Sequence, residues 1–208
     1  MDGQYTKRFV CVNTKSFVWT HIARMNAAIQ SLLDQIAANK AAGQAVAAGL
    51  SDAQLNWHAT KDSWSIAECL THLNVGVTKT LPAFDRAIGE GRSKNQLAPG
   101  PFRYGWFSRM MVASMEPPPK FRMKAPRLIR VSVGGTYRGA DLLPEFAAVR
   151  DQLAERVRRA DGLDLAHVRT ISPVNRLLRM PLGAYFDFII AHDRRHLWQA
   201  RNVRNRLA

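Results

Sequence analysis

The fold is decided by the stretch from Leu182 to Arg204, which reads LGAYFDFIIAHDRRHLWQARNVR. Six of its residues, three of them apolar or aromatic and three polar, recur at the spacing of an α-helix, which places them on one face. These residues are Tyr185, Phe188, Ile189, His192, His196 and Gln199. The period predicts a long helix over residues 182–204, and three segments earlier in the chain carry the same period.

The first of these earlier segments covers residues 16–39. An alanine- and glycine-rich piece, residues 41–49, follows it and leads into a turn. The Ser51-Asp52 pair is then expected to cap a short helix that holds Leu55 and Trp57, because a serine hydroxyl can accept a hydrogen bond from the free N–H groups of a first helical turn.

The second segment covers residues 63–88, and Ser63 is the residue expected to cap it. Gly89 and Gly91 follow the last apolar position, so we expect them to end the helix. Pro82 lies inside the pattern and lacks the backbone N–H that an interior helical position donates. We therefore expect a kink or a break near Thr80 instead of a straight rod.

Residues 92–139 differ in composition from the rest of the chain, since proline and glycine interrupt them repeatedly. Between the proline groups, residues 102–115 are expected to form a short amphipathic helix. The apolar face of that helix consists of Trp106, Phe107, Met110, Met111 and Met115. A structureless loop of this length is unusual in a compact domain. We therefore interpret residues 92–139 as a partly ordered insertion that packs over another part of the domain.

The third segment covers residues 142–160, with Asp141 as its expected cap and Asp161-Gly162 at its end. A connector follows in which three residues are expected to be extended, namely Val168, Ile171 and Val174. Since no segment shows convincing strand alternation, four long helices predict an all-α fold, a four-helix bundle with an insertion between its second and third helices.

Charge is the feature in which the composition departs from an ordinary globular chain. The formal net charge is +14, of which +3 falls in residues 1–100 and +11 in residues 101–208. A cationic surface attracts nucleic acid, anionic lipid and acidic small molecules, but it does not determine the fold. No run of five or six like charges occurs, so a solvated basic face is the favoured interpretation.

The chain has two cysteines, Cys11 and Cys69, which can form neither a disulfide framework nor a cysteine-rich zinc site. A reducing cytoplasm is the natural setting for such a chain. The N-terminal residues lack the continuous apolar region of a signal peptide, and no stretch approaches the roughly 18 apolar residues that span a bilayer. We therefore expect a soluble, cytoplasmic protein without a membrane partner.

Three histidines are the candidates for metal ligands. His192 and His196 are four residues apart, so a helix projects both imidazoles from one face, within reach of one divalent ion. His72 lies between the apolar residues Leu70 and Leu73, which points it toward the bundle interior. Interior histidines are often simply hydrogen-bonded to a carbonyl, but three that converge across facing helices favour a metal site.

Two stretches carry a resemblance to a known family. Residues 64–73, WSIAECLTHL, and residues 191–200, AHDRRHLWQA, are similar to the start of the second helix and to the last helix of the DinB-like superfamily. Residues 121–126 and 160–163 also fall where members of the family have comparable residues. The resemblance implies an up-down-down-up four-helix bundle over residues 16–208, preceded by an extension, residues 1–15.

The resemblance further implies that His72, His192 and His196 bind a divalent metal at one end of the bundle, in a protein that is commonly a homodimer. The family includes thiol-dependent S-transferases, isomerases and metal-dependent hydrolases. Three neutral imidazoles leave a coordination position open for water or a thiolate, as a catalytic site does. Zinc is the favoured ion and nickel the next, since both accept imidazole ligands.

Glu68 has two interpretations. Glu68 precedes His72 by one helical turn, where it can orient an imidazole or accept a proton from bound water. The favoured interpretation is that it is an exposed carboxylate that supports the first turn of the helix.

Asp193 is expected to pair with its arginine neighbours on the outer face. Cys69 is expected to be a small buried residue, and Trp64 a core anchor. Surface or capping roles are expected for three further histidines, which are His21, His58 and His167.

Three hypotheses for function follow. The first is a metal-dependent hydrolase or thiol S-transferase whose small-molecule substrate is anionic or a thiol. The second is a metal-binding or structural bundle without catalysis. The third is a nonspecific nucleic-acid binder, ranked last because the sequence contains no recognised nucleic-acid-binding motif, and no specific nucleic-acid partner is expected.

Overall fold

The computed structural model describes residues 25–119 and 125–207. These residues form six α-helices, a short 3-10 turn at Arg127–Ile129 and a two-stranded antiparallel hairpin, β1 (Arg169–Ile171) and β2 (Arg179–Pro181). The helices are α1 (Ala27–Ala47), α2 (Asp52–Leu55), α3 (Ile66–Ser93), α4 (Trp106–Met115), α5 (Gly139–Arg159) and α6 (Leu182–Arg204). The all-α prediction is confirmed, and the bounds of α6 agree with it.

The four long helices pack as a bundle in which α1 and α3 each contact both α5 and α6. Asn74 on α3 contacts Arg150 on α5, and Asp85, further along α3, contacts Arg156, further along α5. These two helices therefore run in the same direction. A chain that leaves the end of α3 must cross the length of the bundle to begin α5, and residues 94–138 make that connection.

The core consists of two apolar clusters along the bundle axis. One includes Phe84 and Phe186, whose ring centroids are 4.5 Å apart. The other includes Ile66, Leu70 and Phe146, which are fully buried where α3 meets α5. Among the described residues, no helix combines the length and apolar character that crossing a membrane requires.

Helix α1 is longer at its C-terminal end than predicted. The side chain of Asn26 caps its first turn, and the part of the prediction before residue 25 lies outside the described residues. The alanine-rich piece expected to follow the helix and lead into a turn is itself helical up to Ala47, because alanine is the best helix former. Gly43 faces Phe146, and a Cβ at this position would lie 2.2 Å from the phenyl ring.

Helix α2 is confirmed as a short helix capped by Ser51, whose hydroxyl and backbone N–H exchange hydrogen bonds with Gln54 in a capping box. Trp57 lies just after it. The predicted cap of α3 is wrong, because Ser65 caps this helix in a second capping box with Glu68. Ser63 instead closes a turn, where its hydroxyl accepts from the backbone N–H of Thr60 at 2.9 Å.

Helix α3 is not broken at Pro82, and it does not end at the two glycines expected to stop it. Pro82 and Thr78, whose carbonyl would accept from a backbone N–H at position 82, are both exposed, so the hydrogen bond that proline cannot make falls on the solvent side of the helix. Gly91 is buried because α3 approaches Val168 closely, and a Cβ at Gly91 would lie 2.9 Å from that side chain. The helix ends at Ser93.

The insertion between α3 and α5 is partly helical, as predicted, although α4 begins at Trp106 instead of residue 102. Helix α4 lies along α6, with Tyr104 beside Gly183 at one end and Glu116 paired with Arg194 at the other. Residues 120–124 lie outside the described part of the chain.

Helix α5 begins at Gly139, and Asp141, the expected cap, lies in its first turn. Its end agrees with the prediction, since Gly162 adopts a φ of 80° after Asp161. Of the three residues expected to be extended after α5, Ile171 lies in β1, whereas Val168 and Val174 lie outside both strands. Strands of three residues are too short to show alternation in the sequence.

Candidate metal centre

The three candidate histidines lie together where α3 and α6 pack antiparallel. His72 is in the second turn of α3, and His192 and His196 are one turn apart on α6. One ring nitrogen of each imidazole lies within 4.8 Å of the others. His72 is 1% exposed, whereas the two histidines of α6 are partly exposed. The cluster is therefore buried on the α3 side and not completely covered on the α6 side.

The spacing of the imidazoles fits a shared metal ion. The Nε2 atoms of His72 and His192 are 3.2 Å apart. Two imidazole nitrogens held at about 2.0–2.1 Å from one zinc ion at a tetrahedral angle lie about 3.3–3.4 Å apart. These two side chains therefore need only a small adjustment to share an ion, and a ring nitrogen of His196 lies within 4.8 Å of both.

Hydrogen bonds to the opposite ring nitrogens orient two of the three imidazoles. His72 donates from Nδ1 to the backbone carbonyl of Ile129 at 2.8 Å, and His196 donates from Nδ1 to the Gln199 side-chain oxygen at 3.0 Å. Since these nitrogens carry the protons, both Nε2 atoms keep their lone pairs and are free to bind a metal. Such outer hydrogen bonds are typical of metal-binding histidines.

The surroundings keep the imidazoles neutral. Burial lowers the pKa of His72, and burial together with the other two imidazoles lowers the pKa of His192 well below its usual range. The pKa of His196 is lowered to about 3, with burial the largest cause. Neutral imidazoles have the charge state that metal coordination requires.

Two further residues border the histidines. Trp64 packs against His72 and His196, with ring centroid separations of 4.7 and 5.5 Å, in addition to its expected contact with the core. Arg195 is 9% exposed and donates from its guanidinium to the carbonyl of Ser114 at 3.0 Å. Its charge also lowers the pKa of His192 and of His196, and the charge of Arg150 lowers that of His192 as well.

Glu68 is fully buried, so its interpretation as an exposed carboxylate is wrong, although it does support the first turn of α3. One carboxylate oxygen accepts from the backbone N–H of Ser65 at 2.9 Å and from His58 Nε2 at 3.0 Å, and the other accepts from the backbone N–H of Gly134 at 2.6 Å. Within the described residues, no hydrogen bond joins Glu68 to an imidazole of the cluster. His58 is thus a partner of this carboxylate.

Asp193 also lies in a different place from the one expected. It is 1% exposed and faces the bundle interior, where both carboxylate oxygens accept from Arg150, at 3.1 and 3.2 Å. The same guanidinium donates to Asn74 at 2.6 Å. Arg194, one of the expected partners, pairs with Glu116 of the insertion.

The remaining candidates have the expected roles where the structure describes them. Cys69 is fully buried, which raises the pKa of its thiol. His167 is on the surface, and its Nδ1 atom lies 2.8 Å from a carboxylate oxygen of Asp164. His21 lies outside the described residues.

A comparison with protein families agrees with this geometry. A family model described as the DinB superfamily matches residues 35–200, which include all three histidines. The chain belongs to the DinB superfamily. No curated protein and no solved structure matches it.

The donor set of this DinB-superfamily site fits a divalent ion of the zinc or nickel type, because imidazole nitrogen is a ligand that both ions accept. A group of three histidines leaves room for a further ligand, and the site has no carboxylate among its three donors. This combination is typical of metal sites that bind a water molecule or a substrate.

Three features of this DinB-superfamily site were missed in the sequence. Gln199 lies three residues after His196, so helical spacing alone could have indicated their contact. Arg150 and Asp193 occupy positions on the apolar faces of their helices, and a charged residue at such a position indicates a buried partner. The carbonyl of Ile129 carries no sequence signal, because any residue has one.

Proposed function

We propose that the chain is a metal-dependent enzyme in which His72, His192 and His196 hold a divalent ion, zinc in the first place and nickel in the second. The reaction class is hydrolysis or thiol S-transfer. The convergence of three imidazoles, two of them with Nδ1 already donating elsewhere, carries this proposal. A bound ion lowers the pKa of a water or thiol that occupies its open position.

The neighbours of the site suggest what it would accept. Arg195 supplies a positive charge beside two of the imidazoles, and Trp64 supplies an aromatic surface beside His72 and His196. A positive charge whose field reaches these imidazoles favours an anionic substrate or a thiolate over a neutral one. These contacts favour a low-molecular-weight thiol or an anionic small molecule as the substrate.

Glu68 has a supporting role in this proposal. Its carboxylate holds the backbone of Gly134, in the segment that also provides the Ile129 carbonyl to His72. The alternative role as a proton acceptor from bound water stays a prediction. The contacts of Glu68 with Ser65, His58 and Gly134 favour the supporting role.

Metal content tests the proposal directly. We expect the purified wild-type protein to contain close to one zinc or nickel per chain after dialysis, measured by elemental analysis. His72→Ala and His196→Ala should each lose most of it, whereas the matched control His167→Ala, a surface histidine, should not. Negligible metal in the wild type even after incubation with zinc and with nickel would refute the site.

A second measurement separates catalysis from metal binding alone. The metal-loaded protein is screened for transfer of small thiols to electrophiles and for hydrolysis of small esters and amides. Turnover that His196→Ala abolishes supports the enzyme, whereas a tightly bound metal without turnover in any assay favours the non-catalytic alternative.

The location and assembly of the protein stay predictions. A cytoplasmic location suits Cys69, a free and buried thiol. We expect a homodimer, for which sedimentation equilibrium should give twice the mass of one chain.

A further inference from the structure

A buried polar network crosses the bundle beside the histidines. It joins Asn74 of α3, Arg150 of α5 and Asp193 of α6, which are 2%, 0% and 1% exposed. Arg150 donates to both carboxylate oxygens of Asp193 and, through Nη1, to the side-chain oxygen of Asn74. One planar guanidinium therefore connects three helices.

The network lies at the same level of the bundle as the candidate ligands. Asn74 follows His72 by two residues, and Asp193 follows His192 directly. Side chains one or two residues apart on a helix project toward different sides. The histidines thus occupy the side on which α3 and α6 meet, and the network occupies the side that faces α5.

The packing around Arg150 restricts its position. The ring of Phe146 lies under the guanidinium, 3.7 Å from ring centroid to Cζ. The side chain of Phe146 itself packs against Gly43, where only a hydrogen atom fits. Since the guanidinium is fixed by a ring on one side and by forked hydrogen bonds on the other, it holds α3 and α6 at defined distances from α5.

Stability alone does not account for such a network. Removing a guanidinium and a carboxylate from water carries a large free-energy cost, and well-packed apolar residues at the same positions are often neutral or stabilising. Apolar side chains do not fix the relative position of two helices, because their contacts tolerate sliding of one helix along another by small distances.

We propose that Arg150, through Asp193 and Asn74, is a positioning residue that sets the separation between His72 on α3 and the two histidines on α6. The inference rests on the proposed metal site and deepens it. The network determines how tightly the metal is held, and the apolar core determines how stable the fold is.

The test compares metal affinity with stability in two variants. The first replaces the whole network with apolar residues, Asn74→Leu, Arg150→Met and Asp193→Leu, so that no buried charge is left without a partner. The second is Arg150→Lys, which keeps the charge and loses the fork. Arg156→Met is the matched control, because Arg156 also lies on α5 and pairs with Asp85 of α3, but further from the histidines.

Zinc affinity is measured by competition with a chromophoric chelator, and unfolding by denaturant titration. We expect the triple variant to unfold at a denaturant concentration equal to or above that of the wild type, yet to bind zinc about 10–100-fold more weakly. Arg150→Lys should weaken zinc binding in the same direction, and Arg156→Met should not. Wild-type zinc affinity in the folded triple variant or in Arg150→Lys would overturn the proposal.

A crystal structure of each variant provides a readout that needs no metal. The Nε2 atoms of His72 and His192 should lie further apart than 3.2 Å in both variants. If the wild type binds no zinc, the proposed function fails, and this distance alone decides the positioning role: an unchanged separation in the variants would overturn it.

Discussion

At the residue scale, burial gives a few ionisable groups properties that their exposed counterparts lack. Asp187, on α6, is the clearest case outside the histidine cluster. Burial raises its pKa, Arg194 opposes the rise and Glu116 adds to it, and the three effects together place the pKa at about 6. The folded protein therefore binds more protons at this position than the unfolded chain between about pH 4 and 6, and stability falls as the pH rises through this window.

The Asp187→Asn variant should remove this penalty. We expect its free energy of unfolding at neutral pH to exceed that of the wild type by about 1–3 kcal/mol, with the difference shrinking toward pH 4, where the wild-type carboxyl is protonated. Urea titrations at several pH values measure this. Asp151→Asn, which changes an exposed carboxylate paired with Lys40, is the control and should show no such trend. A difference independent of pH would contradict the prediction.

At the element scale, the start of α3 depends on one of two serines that lie two residues apart. Ser65 is buried and accepts from the backbone N–H of Glu68, whereas Ser63 closes an exposed turn. Ser65→Ala should cost about 0.5–2 kcal/mol of stability, the usual range for a helix cap. Ser63→Ala should cost less. Thermal unfolding of the two variants side by side decides between them, and equal losses would contradict the assignment.

Two helical glycines should respond oppositely to alanine. A methyl group at Gly43 meets the ring of Phe146 beneath Arg150, so Gly43→Ala should destabilise the protein by about 1–3 kcal/mol. Gly89 is exposed on α3 with nothing within 4 Å of an added Cβ. Gly89→Ala should therefore stabilise by about 0.5–1 kcal/mol. Denaturant midpoints measure both effects. A stabilising Gly43→Ala would contradict the prediction, because it would show that the Phe146 ring moves aside at little cost.

The elements that the sequence predicts well are those whose apolar period runs unbroken. Helix α6 keeps this period from Leu182 to Arg204, and its predicted bounds hold. The errors arise where local residues conflict with tertiary contacts. Gly89 and Gly91 look like stop signals, but α3 continues past them, since Gly91 fits against Val168.

The histidine cluster could be predicted because three histidines on helical faces leave a spacing signal. Its surroundings could be predicted only in part. The partner of Asp193 is Arg150, forty-three residues away, and spacing within α6 alone could not identify it. The partner of His72 is a backbone carbonyl, which no side-chain pattern marks.

At the scale of the whole molecule, the basic excess of the second half is partly used inside the fold. Arg150 is buried, Arg194 pairs with Glu116, and Arg204 donates to the last carbonyls of α1. Arg156 and Arg159 share Asp85. These contacts reduce the number of cations available to a polyanion.

Affinity for nucleic acid should therefore be weak and entirely electrostatic. We expect fluorescence anisotropy to detect binding to mixed-sequence duplex DNA at about 50 mM salt and to lose it by about 200 mM, because each phosphate contact releases counterions. A protein of equal net charge and unrelated fold is the control. Retained affinity at the higher salt, or a preference for one sequence, would favour the nucleic-acid hypothesis over the metal enzyme.

The hydrogen bond between His72 and Ile129 has a consequence for the order of assembly during folding. The two residues are 57 positions apart, and the segment that holds Ile129 belongs to the crossover that parallel α3 and α5 require. Contacts between distant residues form late, because the intervening loop must close first. Nascent α6 alone would already bring His192 and His196 near each other, whereas His72, 120 positions before His192, joins them only when α3 docks. Until the Ile129 carbonyl also docks, His72 would still exchange its proton between its ring nitrogens. If the histidines bind an ion, tight binding would then begin only when the segment that holds Ile129 has docked on α3.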